Sequence, residues 1–260
     1  MKDIDLNEKV IEGRRRGISG STLKIIACVT MLIDHLGAFV LLSMIHSGYR
    51  YSDFDIIKCY DIFRDIGRVA IPIFIFLMIQ GLYHTSDVKK YIGRMAIFAL
   101  ISEIPFNLAR TSNIIEIGSC NVFFTLTLGL VAIASIRYYT CRDKGPFGKG
   151  VVIIAMVLSA IIVTLIGADY GIFGVMAAIV GYVFMYEVKL PSFRSKCLLS
   201  IIGITAILIS MDSSENYAIF AILPVVLYNG KRGFKLKYFF YLFYPIHLIV
   251  LFMVRTLLLI

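Results

Sequence analysis

Two ionisable residues, Asp34 and His35, stand side by side within the apolar stretch Leu23 to Leu42, which is long enough to cross a bilayer. A carboxylate near the centre of a spanning helix costs about 2.5–3.5 kcal/mol on insertion scales, so a polar cavity, a partner or a chemical role has to offset it. Adjacent helical residues point about 100° apart, so the two are not a simple dyad and each needs its own partner. For Asp34 the candidates are a cation such as Arg68, or the amide of Asn121; His35 then faces a cavity. Imidazole titrates near neutrality and can accept a proton on one ring nitrogen while the other is held, which is what acyl and proton transfer require.

Three further histidines occur, His46, His84 and His247. At about 1.5 Å per residue, His35 lies about 16 Å inward from Lys24 and His247 about 15 Å inward from Lys237, so both imidazoles are expected at one level near the midplane. Glu103, in Ile101-Ser102-Glu103-Ile104-Pro105-Phe106-Asn107, is the other acid within a span. Pro105 releases the Ile101 carbonyl and is expected to kink the helix there, making room for a polar group. Glu103 then either fixes helix packing by pairing with Arg68 or Lys24, or takes part in catalysis. His84 ends the second apolar segment beside Thr85, and with Lys89, Lys90 and Arg94 makes a cationic cluster suited to a phosphorylated cofactor, or simply a basic loop on the inner side. No phosphate-binding loop, dinucleotide fingerprint, zinc-protease helix, serine-hydrolase elbow or calcium loop is present. The five cysteines form no metal spacing, and no metal is expected; Cys59 and Cys120 fall on the same side of the membrane and are compatible with a disulfide.

The elements that must carry these residues follow from composition. With 59% hydrophobic and 17% charged residues and a mean hydropathy of +0.85, the chain is too apolar for a soluble domain of 260 residues. It reads as an all-α, multi-pass transmembrane bundle in the cell membrane, with apolar segments near 22–45, 67–84, 92–109, 120–138, 151–167, 170–187, 197–211, 216–229 and 238–259. With all nine crossing, 20 of the 26 Lys and Arg fall on one side, which the positive-inside rule makes cytoplasmic, together with the N-terminus; the C-terminus is then outside. The net charge of +9 is therefore a matter of topology, and its spread over short loops argues against nucleic-acid binding. Residues 1–20 form a basic cytoplasmic tail and residues 21–260 a single integral domain. In the outer connection from Ser47 to Ile66, Phe54, Ile57, Tyr60, Asp61 and Arg64 recur at helical spacing and suggest an interfacial helix. Asp169 is placed to cap the sixth span or to stand at the mouth of a site, and the glycines at 167, 171 and 174 invite close helix contact.

Several blocks together resemble the TraX family of membrane proteins: Leu23-Lys24-Ile25-Ile26-Ala27 with Met31-Leu32-Ile33-Asp34-His35, Gly67-Arg68-Val69-Ala70-Ile71-Pro72-Ile73-Phe74, and Gly81-Leu82-Tyr83-His84-Thr85 with Lys89-Lys90-Tyr91. Ile101 to Asn107, Asn121-Val122-Phe123-Phe124-Thr125 and Ala168-Asp169-Tyr170-Gly171 extend the resemblance, which runs from about Leu23 to His247. The namesake of that family acetylates the N-terminus of pilin, and the family is similar to the acyltransferase 3 and heparan-glucosaminide acetyltransferase families, in which an early intramembrane histidine is regarded as catalytic. His35 is the matching position, and Tyr244-Pro245-Ile246-His247 is similar to a late-helix Tyr-x-x-His of some members.

What the resemblance implies is transfer of an acetyl group from cytoplasmic acetyl-CoA to an acceptor outside, a peptide N-terminus, sugar or small molecule. Lys90 and Arg94, with His84, would hold the CoA phosphates. His35 would act as general base or acyl carrier, with Asp34, His247 and Glu103 as its catalytic companions. Arg68, Asn121 or Tyr244 would donate to the developing oxyanion. The rival reading is a proton- or cation-coupled transporter using Asp34, His35 and Glu103, for which neither an inverted repeat nor a pair of broken helices is present. A third is a non-catalytic membrane scaffold, in which these polar residues only bind helices together. The sequence carries no indication of oligomeric state.

Overall fold

The first helix begins where Ser19 accepts a hydrogen bond from the Thr22 backbone N–H, and it runs as α1 from Gly20 to His46. The computed structural model describes residues 16–48, 55–140, 145–234 and 237–259. Most of the basic tail, Phe54 in the outer connection, and the loop cations Arg142, Lys144 and Lys235 lie outside the described residues. After α1 come α2 (Ile56–Gly67), α3 (Ala70–His84), α4 (Val88–Thr111), α5 (Val122–Thr140), α6 (Gly145–Leu165) and α7 (Gly171–Glu187). They are followed by α8 (Phe193–Ile209), a 3-10 segment (Ser213–Ala221) leading into the short α9 (Ile222–Val226), and α10 (Lys237–Leu258). The same cap chemistry starts three of these helices, with Asp55, Asp87 and Ser192 accepting from Lys58, Lys90 and Ser195 N–H at 3.1, 3.0 and 3.0 Å. The Lys58 and Lys90 backbone N–H groups hold the Asp55 and Asp87 carboxyls below the usual carboxylate range.

The described residues contain helices and no strands, as the composition requires. Among the described residues five helices are long and apolar enough to cross a membrane: Gly20–His46, Val88–Thr111, Val122–Tyr139, Gly145–Leu165 and Phe239–Leu258. The remaining expected segments form shorter helices, of 15 residues for α3 and 17 for α8. α3 is short but central. Ile73, Ile75, Phe76, Ile79 and Leu82 are inaccessible to solvent, and the helix is apolar all round because neighbours cover every face. α6 is the opposite case, with Ile153, Ile154, Val157, Leu158, Ile161 and Leu165 all exposed, a continuous apolar face that water would not satisfy.

Connections gather at two ends of the bundle. At the Ser19 end, Ile18 N–H donates to Leu227 O at 2.9 Å, Gly20 N–H to Lys231 O at 2.8 Å, and the Arg137 side chain to Leu82 O. At the Arg68 end, Cys120 N–H donates to Gly167 O at 3.2 Å, Asp169 N–H to Cys120 O at 2.9 Å, and Arg255 to Ala109 O at 2.8 Å.

Close packing uses the small residues, but not all those expected. Gly174 lies against the Thr125 methyl and Gly167 against the Gly118 carbonyl, leaving no room for a Cβ, whereas Gly171 borders open space. Tyr170, in a left-handed conformation at φ 62°, occupies the N-cap position of α7, so Asp169 does not. The Asp169 carbonyl instead accepts from the Thr125 hydroxyl at 2.5 Å. The connection from Ser47 to Ile66, where a helix was expected, contains α2, with Ile57, Ile62 and Ile66 exposed on it. α4 continues through Pro105 as one helix of 24 residues, so the proline does not end it.

Candidate functional site

Midway along α1 the backbone widens from α to π geometry over Leu36–Leu41, immediately after Asp34 and His35. Such turns often accompany functional sites, because the extra residue re-aims the side chains on either side. Within the wide turn, Gly37 meets the Phe63 Cβ and the Tyr60 carbonyl, so α2 lies directly along α1 at this level. Gly67 at the end of α2 plays the matching part: a Cβ there would overlap the Asp34 carboxyl, and its absence makes the space Asp34 occupies.

His35 and His247 meet across this level. His35 Nδ1 and His247 Nε2 are 2.7 Å apart although 212 residues separate them in sequence. The rings are parallel to within 6° with centroids 5.0 Å apart. That spacing is close to the nitrogen contact plus the two ring radii, so the imidazoles lie edge to edge near one plane and are not stacked face to face. His247 Nδ1 lies 2.8 Å from the Phe243 carbonyl of its own helix. His247 is buried and His35 half-buried. Around them stand Phe39, 5.1 Å from His35, Phe243, 5.0 Å from His247, and Tyr244, edge-on to both. These walls belong to an apolar cluster of Met31, Phe39, Phe106, Tyr244, Leu248 and Leu251. Ring-level agreement between the two histidines was legible from counting; their direct bond was not.

Asp34 bonds elsewhere. Its Oδ2 pairs with Arg64 of α2 at 2.7 Å, in place of the Arg68 or Asn121 expected from sequence, because the wide turn and Gly67 bring α2 against it. Arg68 instead pairs with Glu215 at 2.7 Å and reaches the Tyr170 hydroxyl at 3.5 Å. Arg64, Glu215 and Tyr170 are the site-level residues that sequence reading missed as partners. The signal for Glu215 was faint: one acid beside an apolar run, on the side where Arg64 and Arg68 needed counter-charges.

Glu103 is also placed apart from the histidines. Its Oε2 accepts from Asn121 Nδ2 at 2.6 Å and from Asn121 N–H at 3.1 Å, and Asn121 Oδ1 accepts from Phe123 N–H at 3.0 Å. Glu103 and Asn121 thus accept from backbone N–H groups at the start of α5, where the helix dipole favours a negative charge. The alternative partners for Glu103, Arg68 and Lys24, are engaged otherwise: Lys24 lies over the Phe240 ring at 5.3 Å. Of the three expected oxyanion donors, only Tyr244 stands at the histidine pair; Arg68 and Asn121 are committed to Glu215 and Glu103.

At the Ser19 end, Lys90 is exposed and paired with Asp87 at 3.4 Å, and His84 is exposed beside Tyr83. Arg94 lies 5.9 Å over the Tyr91 ring with a buried Nε that lacks a hydrogen-bond partner. An orphaned guanidinium donor beside exposed Lys89 and Lys90 fits a polyanionic group. At the opposite end a cavity of about 510 Å³ is lined by Ser43, His46, Arg110, Ser112, Arg255 and Thr256. It begins two helical turns beyond the histidine pair and contains neither of those rings. Cys59 and Cys120 are both free thiols, so the disulfide considered from sequence is not formed. Among the described residues no group of His, Cys, Asp or Glu is arranged to hold a metal ion.

The family model described as TraX protein matches residues 19–255, nearly the whole of this structure. The chain belongs to the TraX family. A relative named as the probable fimbrial assembly protein FimC, serogroup H1, of Dichelobacter nodosus is 26% identical over 264 residues, covering 92% of this chain and 96% of that one. No solved structure matches the chain significantly. As a TraX-family protein with several apolar helices of spanning length, it is a multi-pass membrane protein.

Proposed function

We propose that this TraX-family protein is a membrane-embedded acetyltransferase that moves an acetyl group from cytoplasmic acetyl-CoA to an amine or hydroxyl acceptor on the outer face. The observation that carries the reading is the bonded pair of His35 and His247 at mid-depth of the bundle, 2.7 Å apart, inside aromatic walls. A buried imidazole held on one nitrogen is a general base or nucleophile in waiting, and in a dry site each polar contact to the reacting atoms is strengthened. The thioester donor supplies the activated acyl group; Arg94, Lys90 and His84 would hold its phosphates at the Ser19 end. Tyr244 is the residue beside the histidines with a hydroxyl proton to offer a developing oxyanion. The fimbrial assembly relative makes a pilus-subunit N-terminus one candidate acceptor.

The rival transport reading needs Asp34, His35 and Glu103 in one file. Their separate attachments, to Arg64, His247 and Asn121, favour chemistry at one point over a relay through three.

Incubating the purified protein in nanodiscs with radiolabelled acetyl-CoA and a membrane extract tests the proposal. Label is expected on a membrane-associated acceptor, or on His35 if the route is covalent. No transfer to any molecule, from a protein shown to be folded, overturns it.

The reading also requires nine crossings with the Arg68 end outside. In a background with the five native cysteines replaced by serine, Lys58→Cys, on exposed α2, is expected to react with a membrane-impermeant maleimide in intact cells, and Lys89→Cys, also exposed, only after lysis. The reverse pattern would invert the direction of transfer.

A further inference from the structure

The bond between the two imidazoles carries more than proximity, because hydrogen-bond chemistry dictates which nitrogen holds each proton. The Phe243 carbonyl can only accept, so His247 Nδ1, 2.8 Å away, bears a hydrogen and donates it. A neutral imidazole has one N–H, which leaves a lone pair on His247 Nε2. The 2.7 Å contact then obliges His35 Nδ1 to be the donor. His35 Nε2 is left with its lone pair, and no described residue bonds it.

We infer that His247 is a proton-relay and positioning residue: it sets His35 in the tautomer whose reactive nitrogen is Nε2 and receives the Nδ1 proton when Nε2 is protonated. This rests on the acyl-transfer reading for its second half only. In the reaction, the acceptor N–H or O–H gives its proton to His35 Nε2 as the acceptor lone pair attacks the thioester carbonyl carbon. The His35 Nδ1 proton crosses to His247 Nε2. When the C–S bond breaks, the departing thiolate takes a proton from His35 Nε2 and His247 returns its Nε2 proton to His35 Nδ1. Acceptor and thioester become acylated acceptor and free thiol, with both rings restored.

The surroundings match this flow of charge. Asp34 is bonded to Arg64 at 2.7 Å, and Tyr244 stands edge-on to both histidine rings. His247 has the Phe243 ring parallel to it within 17° at 5.0 Å and the Phe243 carbonyl on its Nδ1. A cation formed at His247 therefore has a π face and a carbonyl dipole to rest against.

The test is made on the full-length protein, 15N-labelled at histidine, in nanodiscs. The nitrogen shifts are expected to show His35 protonated at Nδ1 and bare at Nε2; the opposite tautomer, or an even mixture, overturns the assignment whether or not any transfer is detected. Two variants separate holding from relaying. In His247→Gln the amide oxygen can still accept the His35 Nδ1 proton as a hydrogen bond but cannot take it. It is expected to keep the His35 tautomer and lose about 10²-fold in kcat with KM little changed. In His247→Ala both the tautomer and the rate are expected to be lost. Native rates in His247→Gln would remove the relay.

Discussion

His35→Ala protein is expected to transfer acetyl about 10²–10⁴-fold more slowly than the native chain, the span that a positioned general base contributes. The same protein should still fold and still bind acetyl-CoA. Removing the ring leaves His247 Nε2 without its donor in an apolar cluster, which costs about 1–3 kcal/mol of stability, small beside the loss of rate. In the proposed reading the donor's phosphates lie at Lys90, Arg94 and His84 at the Ser19 end, about 24 Å from His35 along α1 by helical rise, so their affinity should hardly change. Parallel measurement of label transfer, thermal unfolding and acetyl-CoA binding decides the matter. Full transfer by the variant removes His35 from the chemistry.

Arg68→Met is expected to show the largest loss of stability of any single change at the Arg68 end. Arg68 and Glu215 have side-chain exposures of only 11% and 2%, and their 2.7 Å pair joins the α2–α3 connection to the 3-10 segment. Breaking a buried pair from one side leaves an uncompensated charge, a penalty of about 3–5 kcal/mol. Glu215→Gln, which removes the charge but keeps a hydrogen-bonding oxygen, should cost less. The double variant Arg68→Met/Glu215→Leu should recover most of the loss, because two apolar residues bury without needing each other. Thermal unfolding of these three variants and of Glu215→Leu in one detergent checks the order. Additive losses in the double variant would show that the two residues do not act as a pair.

Much of this was legible before any coordinates. Periodicity and apolar length gave the helical class, and counting along α1 and α10 set His35 and His247 at one depth, because helical rise converts residue number into distance without reference to neighbours. The helical spacing within the connection from Ser47 to Ile66 was legible for the same reason, and α2 occupies it. Partners were not. Asp34 was open to Arg68 or Asn121 and found Arg64; Glu103 was open to Arg68 or Lys24 and found Asn121. Counter-charge choice between helices depends on how each is rotated and how far it slides against the next, and that was set by features no charge count reveals. The wide turn at Leu36–Leu41 and the missing side chain of Gly67 pull α2 onto Asp34, while Tyr170 and Glu215 arrive from the far part of the chain to claim Arg68.

The amino-acid sequence alone determined that this chain is an all-helical membrane protein with ionisable groups at mid-depth, since solvation and helical rise are local properties of residues in order. Only the tertiary structure decided that two imidazoles share one hydrogen bond, that Glu103 caps α5, and that Glu215 holds Arg68. A hydrogen bond or ion pair forms within about 3 Å, and bringing side chains from distant helices that close is the work of packing.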